Sequence, residues 1–244
     1  MKMLLLSNSR GPDGRYLAHA HAAIAALAGE RRRAIFVPFA GVTMSWPSYT
    51  ATVGEALAPL GIDMRSIDEA GAAGDTAAQH AALRDAELIV VGGGNTFQLL
   101  KTCRERGLLD LIATAVRGGT PYLGWSAGAN LACPAISTTN DMPIVDPQGL
   151  AALGLIDFQI NPHYTNALPD GHRGETRDQR IAEFLVANPA RTVLGLPEGD
   201  GLQVEDGVLR LWGPVAARRF VAGSVPEDLP PGTVLDAAGR TRPA

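Results

Sequence analysis

The stretch Pro121-Tyr122-Leu123-Gly124-Trp125-Ser126-Ala127-Gly128-Ala129-Asn130 runs from an apolar segment through G-x-S-x-G into small residues suited to a helix start. This is the sequence form of a strand, a sharp turn and a helix, with Ser126 at the apex. Gly124 and Gly128 allow the chain to turn tightly and allow strand and helix to pack closely. The hydroxyl of Ser126 would then project at a helix N-terminus. The helix dipole and the N–H of Ala127 would face developing negative charge there. Such a serine is a candidate nucleophile; the competing reading is a structural turn made of ordinary turn residues.

Outward from this turn the same alternation recurs. Residues 3–6, 34–37, 88–91, 122–124 and 192–196 are short apolar runs that read as buried strands. Residues 16–27, 76–86, 97–115 and 177–186 carry apolar side chains at helical spacing. Apolar strands alternating with helices predict an α/β fold, with a mostly parallel central sheet and helices on both faces. Residues 202–205 and 208–212 flank Asp206-Gly207, which predicts an antiparallel hairpin finishing the sheet near the C-terminus. From Ser224 onward Pro226, Pro230, Pro231 and several glycines predict an irregular tail. The expected organisation is one catalytic domain over 1–223 and a Pro/Gly-rich tail over 224–244.

Composition narrows the function classes. The chain has 244 residues, 46% hydrophobic and 19% charged, with a net charge of -4. That is a globular chain able to bury its own core, and its charge argues against nucleic acid or an anionic membrane as the main partner. The densest basic run, Arg31-Arg32-Arg33, reads as a solvated turn before a strand. Cys103 and Cys133 stand in no metal-ligand or disulfide pattern and read as buried structural thiols of a reducing compartment. The apolar run after Lys2 is too short for a signal peptide, and no run approaches the ~20 residues that span a bilayer. The expectation is a soluble, cytoplasmic protein.

In parallel α/β sheets, ligands bind just beyond the carboxyl ends of strands. Gly92-Gly93-Gly94-Asn95-Thr96 occupies such a place. Its glycines suit a phosphate loop, a tight turn, or an oxyanion hole in which the Gly94 N–H joins that of Ala127. No complete dinucleotide or P-loop pattern is present, and the serine turn favours the oxyanion hole. A serine hydroxyl needs a base. His19, His21 and His80 lie in helical segments. His163, in Asn161-Pro162-His163, follows an apolar run and is the better candidate; His172, in a polar loop, competes with it. An acid would orient the base, and both Glu198, after residues 193–197, and Asp141, in Thr138-Thr139-Asn140-Asp141-Met142-Pro143, qualify.

Taken together, these motifs resemble those of the peptidase E (α-aspartyl dipeptidase) family of serine peptidases. The resemblance rests on residues 92–96, 124–130, 138–143, 161–163, Gly174-Glu175-Thr176-Arg177 and Pro197-Glu198-Gly199, in that order, and extends to about residue 221. It implies a flavodoxin-like fold of the class I glutamine amidotransferase kind, with serine in place of cysteine. It implies cleavage of dipeptides with an N-terminal aspartate (Asp-X), with no metal and no cofactor. It carries Ser126 over as nucleophile, His163 as base, Glu198 as first choice for the third member and Asp141 as a second acid. It also assigns Arg177 to the substrate's aspartate side chain, which a guanidinium binds bidentately. A homodimer stays open. Two other readings compete: a cyanophycinase-like serine peptidase acting on β-aspartyl-arginine linkages, and a non-catalytic small-molecule binding module on the same fold.

Overall fold

The computed structural model of the chain describes residues 1–71, 74–168, 170–171 and 173–242. The early apolar runs have no polar face to leave in water, so they become central parallel strands. These are β1 (Lys2–Leu6), β2 (Arg33–Val37), β3 (Asp63–Ser66), β4 (Leu88–Val91) and β5 (Tyr122–Trp125), side by side in the order β1-β5-β4-β2-β3. Leu6 lies opposite Trp125, and Val91 opposite Gly124. The carboxyl ends of β1, β4 and β5 therefore finish level with one another.

Helices α1 (His21–Ala28), α2 (Trp46–Leu57), α3 (Thr76–Arg84), α4 (Thr96–Glu105), α5 (Leu109–Arg117), α6 (Ala127–Leu131) and α7 (Arg177–Ala187) complete the α/β fold. Alternate strand residues enter two cores. Leu4, Leu6, Phe36, Val90 and Leu123 pack with α1 and α2, whereas Met3, Leu5, Ile89, Val91 and Tyr122 pack with α4, α5 and α6. The central sheet thus has helices on both faces, as its periodicity predicts.

In this half of the fold, four details differ from the sequence reading. The helix expected over 97–115 is two helices, because Gly107 adopts φ 65° between them. The first helix starts at His21 rather than Tyr16, since Leu17 is held at φ 54°. Helix α2 was not expected from the sequence, and it carries Pro47 near its start. This residue sits in the first turn behind the Ser45 cap, where proline is tolerated. Strand β3 is a partly exposed edge and so carries no apolar run.

Seven further strands follow: β6 (Gln159–Asn161), β7 (Thr192–Gly195), β8 (Gly201–Glu205), β9 (Val208–Trp212), β10 (Ala217–Val221), β11 (Glu227–Leu229) and β12 (Val234–Leu235). The hairpin β8–β9 turns on Asp206 and Gly207, both at positive φ. It joins the central sheet antiparallel to β1, and β12, paired with β9, brings that sheet to eight strands. The segment 192–196 does not join that sheet: β7 belongs to a second sheet, ordered β11-β10-β7-β6. In the stretch 224–244, expected to be irregular, β11 pairs with β10 and β12 with β9. Prolines 226, 230 and 231, which cannot donate to a ladder, keep both strands short. Among the described residues no helix is long and apolar enough to cross a membrane. Cys103 and Cys133 are buried, and burial pushes each thiol up to about 12, which removes both as nucleophiles near neutral pH.

Asp200 lies where the chain returns from the second sheet to the first, with 2% of its surface exposed. One carboxyl oxygen accepts from the Val215 N–H at 3.1 Å, and the other has no partner among the described residues. Burial pushes this carboxyl from 3.8 up to about 6. The folded state therefore holds the proton more tightly than the unfolded chain. Stability from this group is full below about pH 4 and is lost as pH rises through about 6. A shift of that size corresponds to about 3 kcal/mol. Asp200→Asn is thus expected to gain Tm relative to the native protein as pH rises from 4 to 8. Thermal melts across that range check it, and a pH-independent difference would contradict it.

Candidate active site

Ser126 follows β5 directly and stands at φ 51°, ψ -111°, a conformation that L-residues avoid. Its surroundings enforce it. The Ser126 N–H donates to the Leu6 carbonyl at 3.0 Å, and the Tyr122 hydroxyl donates to the Gly128 carbonyl at 2.7 Å. The two flanking glycines are required by close approach. A Cβ on Gly124 would stand 2.7 Å from the Gly128 carbonyl oxygen, and one on Gly128 would overlap the carbonyl of Val91.

The glycine run after β4 lies against this turn. Gly94 has φ 131°, and a Cβ there would overlap the carbonyl of Ala40. That same carbonyl accepts the Asn95 N–H at 2.8 Å. The Gly93 carbonyl accepts the Tyr49 hydroxyl at 2.9 Å. Among the described residues the amides of Gly94 and Ala127 donate to no protein acceptor. Asn95 caps α4, its Oδ1 accepting from the Gln98 N–H at 3.0 Å.

His163 and Glu198 come from adjacent parallel strands. Asn161 of β6 lies opposite Gly195 of β7, and the two residues follow at positions +2 and +3. Pairing continues past the strands: Leu196 N–H donates to Asn161 and Tyr164 N–H to Leu196, both at 2.9 Å. His163 Nδ1 lies 2.9 Å from Glu198 Oε1, and Nε2 lies 3.0 Å from Ser126 Oγ. The two side chains are 40% and 67% exposed, so this chain of hydrogen bonds faces the solvent. His172, the competing base, lies outside the described residues.

Ser7 and Asn8, which the sequence reading passed over, hold these loops. Ser7 Oγ accepts the His163 N–H and donates to the Leu196 carbonyl, both at 2.8 Å. Asn8 Oδ1 accepts the Gly199 N–H at 2.8 Å. Their signal was positional: a polar Ser7-Asn8-Ser9 begins immediately past the first apolar strand, on the edge where sites form.

The remaining candidates surround this group. Asp141 Oδ2 accepts from the Thr96 N–H at 2.7 Å, the Thr96 hydroxyl at 2.5 Å and the Thr139 hydroxyl at 3.0 Å. It ties the 138–143 loop to the start of α4 and makes no hydrogen bond to His163 among the described residues. Arg177 is the first residue of α7, behind a capping box of Thr176 and Gln179. It donates to Asn140 Oδ1, and Asn140 donates to the Pro162 carbonyl beside His163 at 2.7 Å. Burial, then the neighbouring Arg180, draws its pKa below the usual value. No carboxylate pairs with it among the described residues. The cleft over Ser126 has a volume of about 700 Å³ and is walled by His163, Trp125, Gly94, Tyr16 and Ile144. Among the described residues no cluster of three or more His, Cys, Asp or Glu side chains is placed to hold a metal ion.

The sequence model of Peptidase family S51 matches residues 3–212. A protein named Peptidase E from Citrobacter koseri is 57% identical over 223 residues, 91% of this chain and 95% of its own length. One of the same name from Escherichia coli O1:K1 / APEC is 55% identical over the same shares. The crystal structure of a peptidase from an acI-B1 Actinobacterium superposes with a TM-score of 0.72, at 17% identity and 96% coverage of both chains; at that identity the likeness shows the fold. The chain is a serine-type peptidase. It belongs to Peptidase family S51.

The conformation of Ser126 has a measurable cost. A side chain in a sparsely populated backbone region costs about 1–3 kcal/mol, which glycine does not incur. Ser126→Gly is expected to exceed Ser126→Ala in stability by about 1 kcal/mol, once the greater chain entropy of glycine is subtracted. Urea denaturation of both variants checks this; an alanine variant equal to or more stable than the glycine one would contradict it.

Proposed function

We propose that the protein hydrolyses dipeptides whose first residue is aspartate, through an acyl-enzyme on Ser126. The observation that carries this reading is the continuous set of hydrogen bonds from Ser126 through His163 to Glu198, at 3.0 and 2.9 Å, in a member of a peptidase family. With the Nδ1 proton donated to Glu198, His163 Nε2 is free to accept the serine proton as Oγ attacks the scissile carbonyl. The unpartnered amides of Gly94 and Ala127 hold the resulting oxyanion. His163 then protonates the leaving amine, and water attacks the ester by the reverse route to release aspartate.

Glu198 is the acid this reading uses as orienter. Asp141 serves by fixing the loop that carries Asn140, which in turn meets Arg177. Arg177 supports the aspartate preference. It is a half-buried cation, without an acid partner among the described residues, one side chain removed from the loop of His163. A substrate carboxylate would complete its hydrogen bonds bidentately.

Ser126→Ala is expected to lower Asp-X hydrolysis by at least about a thousandfold, with the fold retained by circular dichroism. Near-native activity in that variant would overturn the mechanism. Arg177→Ala is expected to lose about ten- to a hundredfold in kcat/KM on Asp-Leu, the worth of a charge-assisted hydrogen bond, and far less on Ala-Leu. Equal losses on both would refute the aspartate role. Including a β-linked Asp-Arg dipeptide separates the reading from cleavage of β-aspartyl-arginine linkages.

A further inference from the structure

Arg10 lines the cleft that holds Ser126 and His163, and its other side faces a neighbouring cavity of about 710 Å³. Neither the serine mechanism nor the aspartate preference uses it. Its loop fixes its position. The backbones of Arg10 and Tyr16 form an antiparallel bridge, and Arg10 Nη1 donates to the Gly14 carbonyl at 2.6 Å. The guanidinium lies 5.2 Å from the centre of the Tyr16 ring. That ring meets Trp125, the neighbour of Ser126, edge-on at 6.0 Å.

Among the described residues the charge of Arg10 is unmet. An acid is available on the same loop, but Asp13 pairs with Arg15 at 2.6 Å. No carboxylate pairs with Arg10 among the described residues. A guanidinium held in place with a free edge is suited to a planar carboxylate. Every dipeptide carries such a group one residue beyond the scissile bond, whatever its second side chain.

We propose that Arg10 binds the free C-terminal carboxylate of the substrate's leaving residue, so that the cleft selects dipeptides over C-terminal amides and longer peptides. The inference rests on the reading that Ser126 attacks the bond after the first residue of a dipeptide. The carboxylate keeps its charge throughout acylation, so Arg10 holds ground state and transition state alike. Its contribution therefore appears in KM and not in kcat.

The test compares free-acid and amide forms of Asp-Leu and Ala-Leu in the native enzyme, Arg10→Gln and Arg10→Lys, with folding checked by thermal melts. The native enzyme is expected to favour the acid over the amide by about tenfold in kcat/KM, through KM, and less so as salt screens the charge. In Arg10→Gln the acid-to-amide ratio is expected to fall towards one, and in Arg10→Lys to lie between. A native ratio near one, or the same ratio in Arg10→Gln, overturns the proposal. The two first residues keep the readings apart: an enzyme that cleaves Ala-Leu as well as Asp-Leu contradicts the aspartate preference, while the acid-to-amide ratio still reports on Arg10.

Discussion

The hydroxyl of Ser7 fixes the distance between two halves of the site that no strand ladder connects. Ser126 and the glycine run end strands of the eight-stranded sheet, whereas His163 and Glu198 end strands of the second sheet. Ser7 closes β1, beside β5, and its fully buried Oγ holds the amide of His163 and the carbonyl of Leu196 at once. One oxygen, acting as donor and as acceptor, registers the smaller sheet against the larger. The 3.0 Å separation of His163 Nε2 and Ser126 Oγ is set by that link. Asn8 repeats the arrangement for the loop bearing Glu198.

The Ser126 half of the site was legible because its physics is local. A tight turn leaves a glycine signature, and the Gly124 and Gly128 contacts show the reason: neither position has room for a Cβ. The parallel strands were legible because complete burial erases polar alternation. The His163 half was visible only as single polar residues after apolar runs. Its partition into a separate sheet was not, since periodicity reports burial and not which neighbour a strand pairs with. The choice between Glu198 and Asp141 likewise depended on long-range geometry. Both are loop acids near proline, and only folding shows Asp141 turned to Thr96 and Thr139. Ser7 and Asn8 look like ordinary loop polarity until the partners that satisfy them arrive from more than 150 residues away.

The exposure of Glu198 shapes what it can contribute. A carboxylate open to water interacts with a neighbouring imidazole in a high effective dielectric, where Coulomb attraction is modest. In the proposed mechanism its main contribution is directional: the hydrogen bond to Nδ1 selects the tautomer that leaves Nε2 as an acceptor. The strained backbone of Ser126 works in the same sense, presenting the hydroxyl before any ligand arrives. The cost is offset by the hydrogen bonds and close packing of the turn.

The layer carrying α7 is thin. Beneath this helix Ile181 and Leu185 join Tyr164, Val193 and Phe220 in a small apolar cluster edged by Phe184 and Ala222, while the central sheet is packed on both faces by far larger ones. Free energies of local opening follow the apolar surface that each unit buries. The outer helix is therefore expected to open more readily on warming than the central sheet, and Arg177 would move with it. Ser126, wedged between β1, β4 and α6, would not. If Arg177 and Ser126 act as proposed, heat would blunt the choice of substrate before it removed the nucleophile, giving a catalyst whose selectivity melts at a lower temperature than its chemistry.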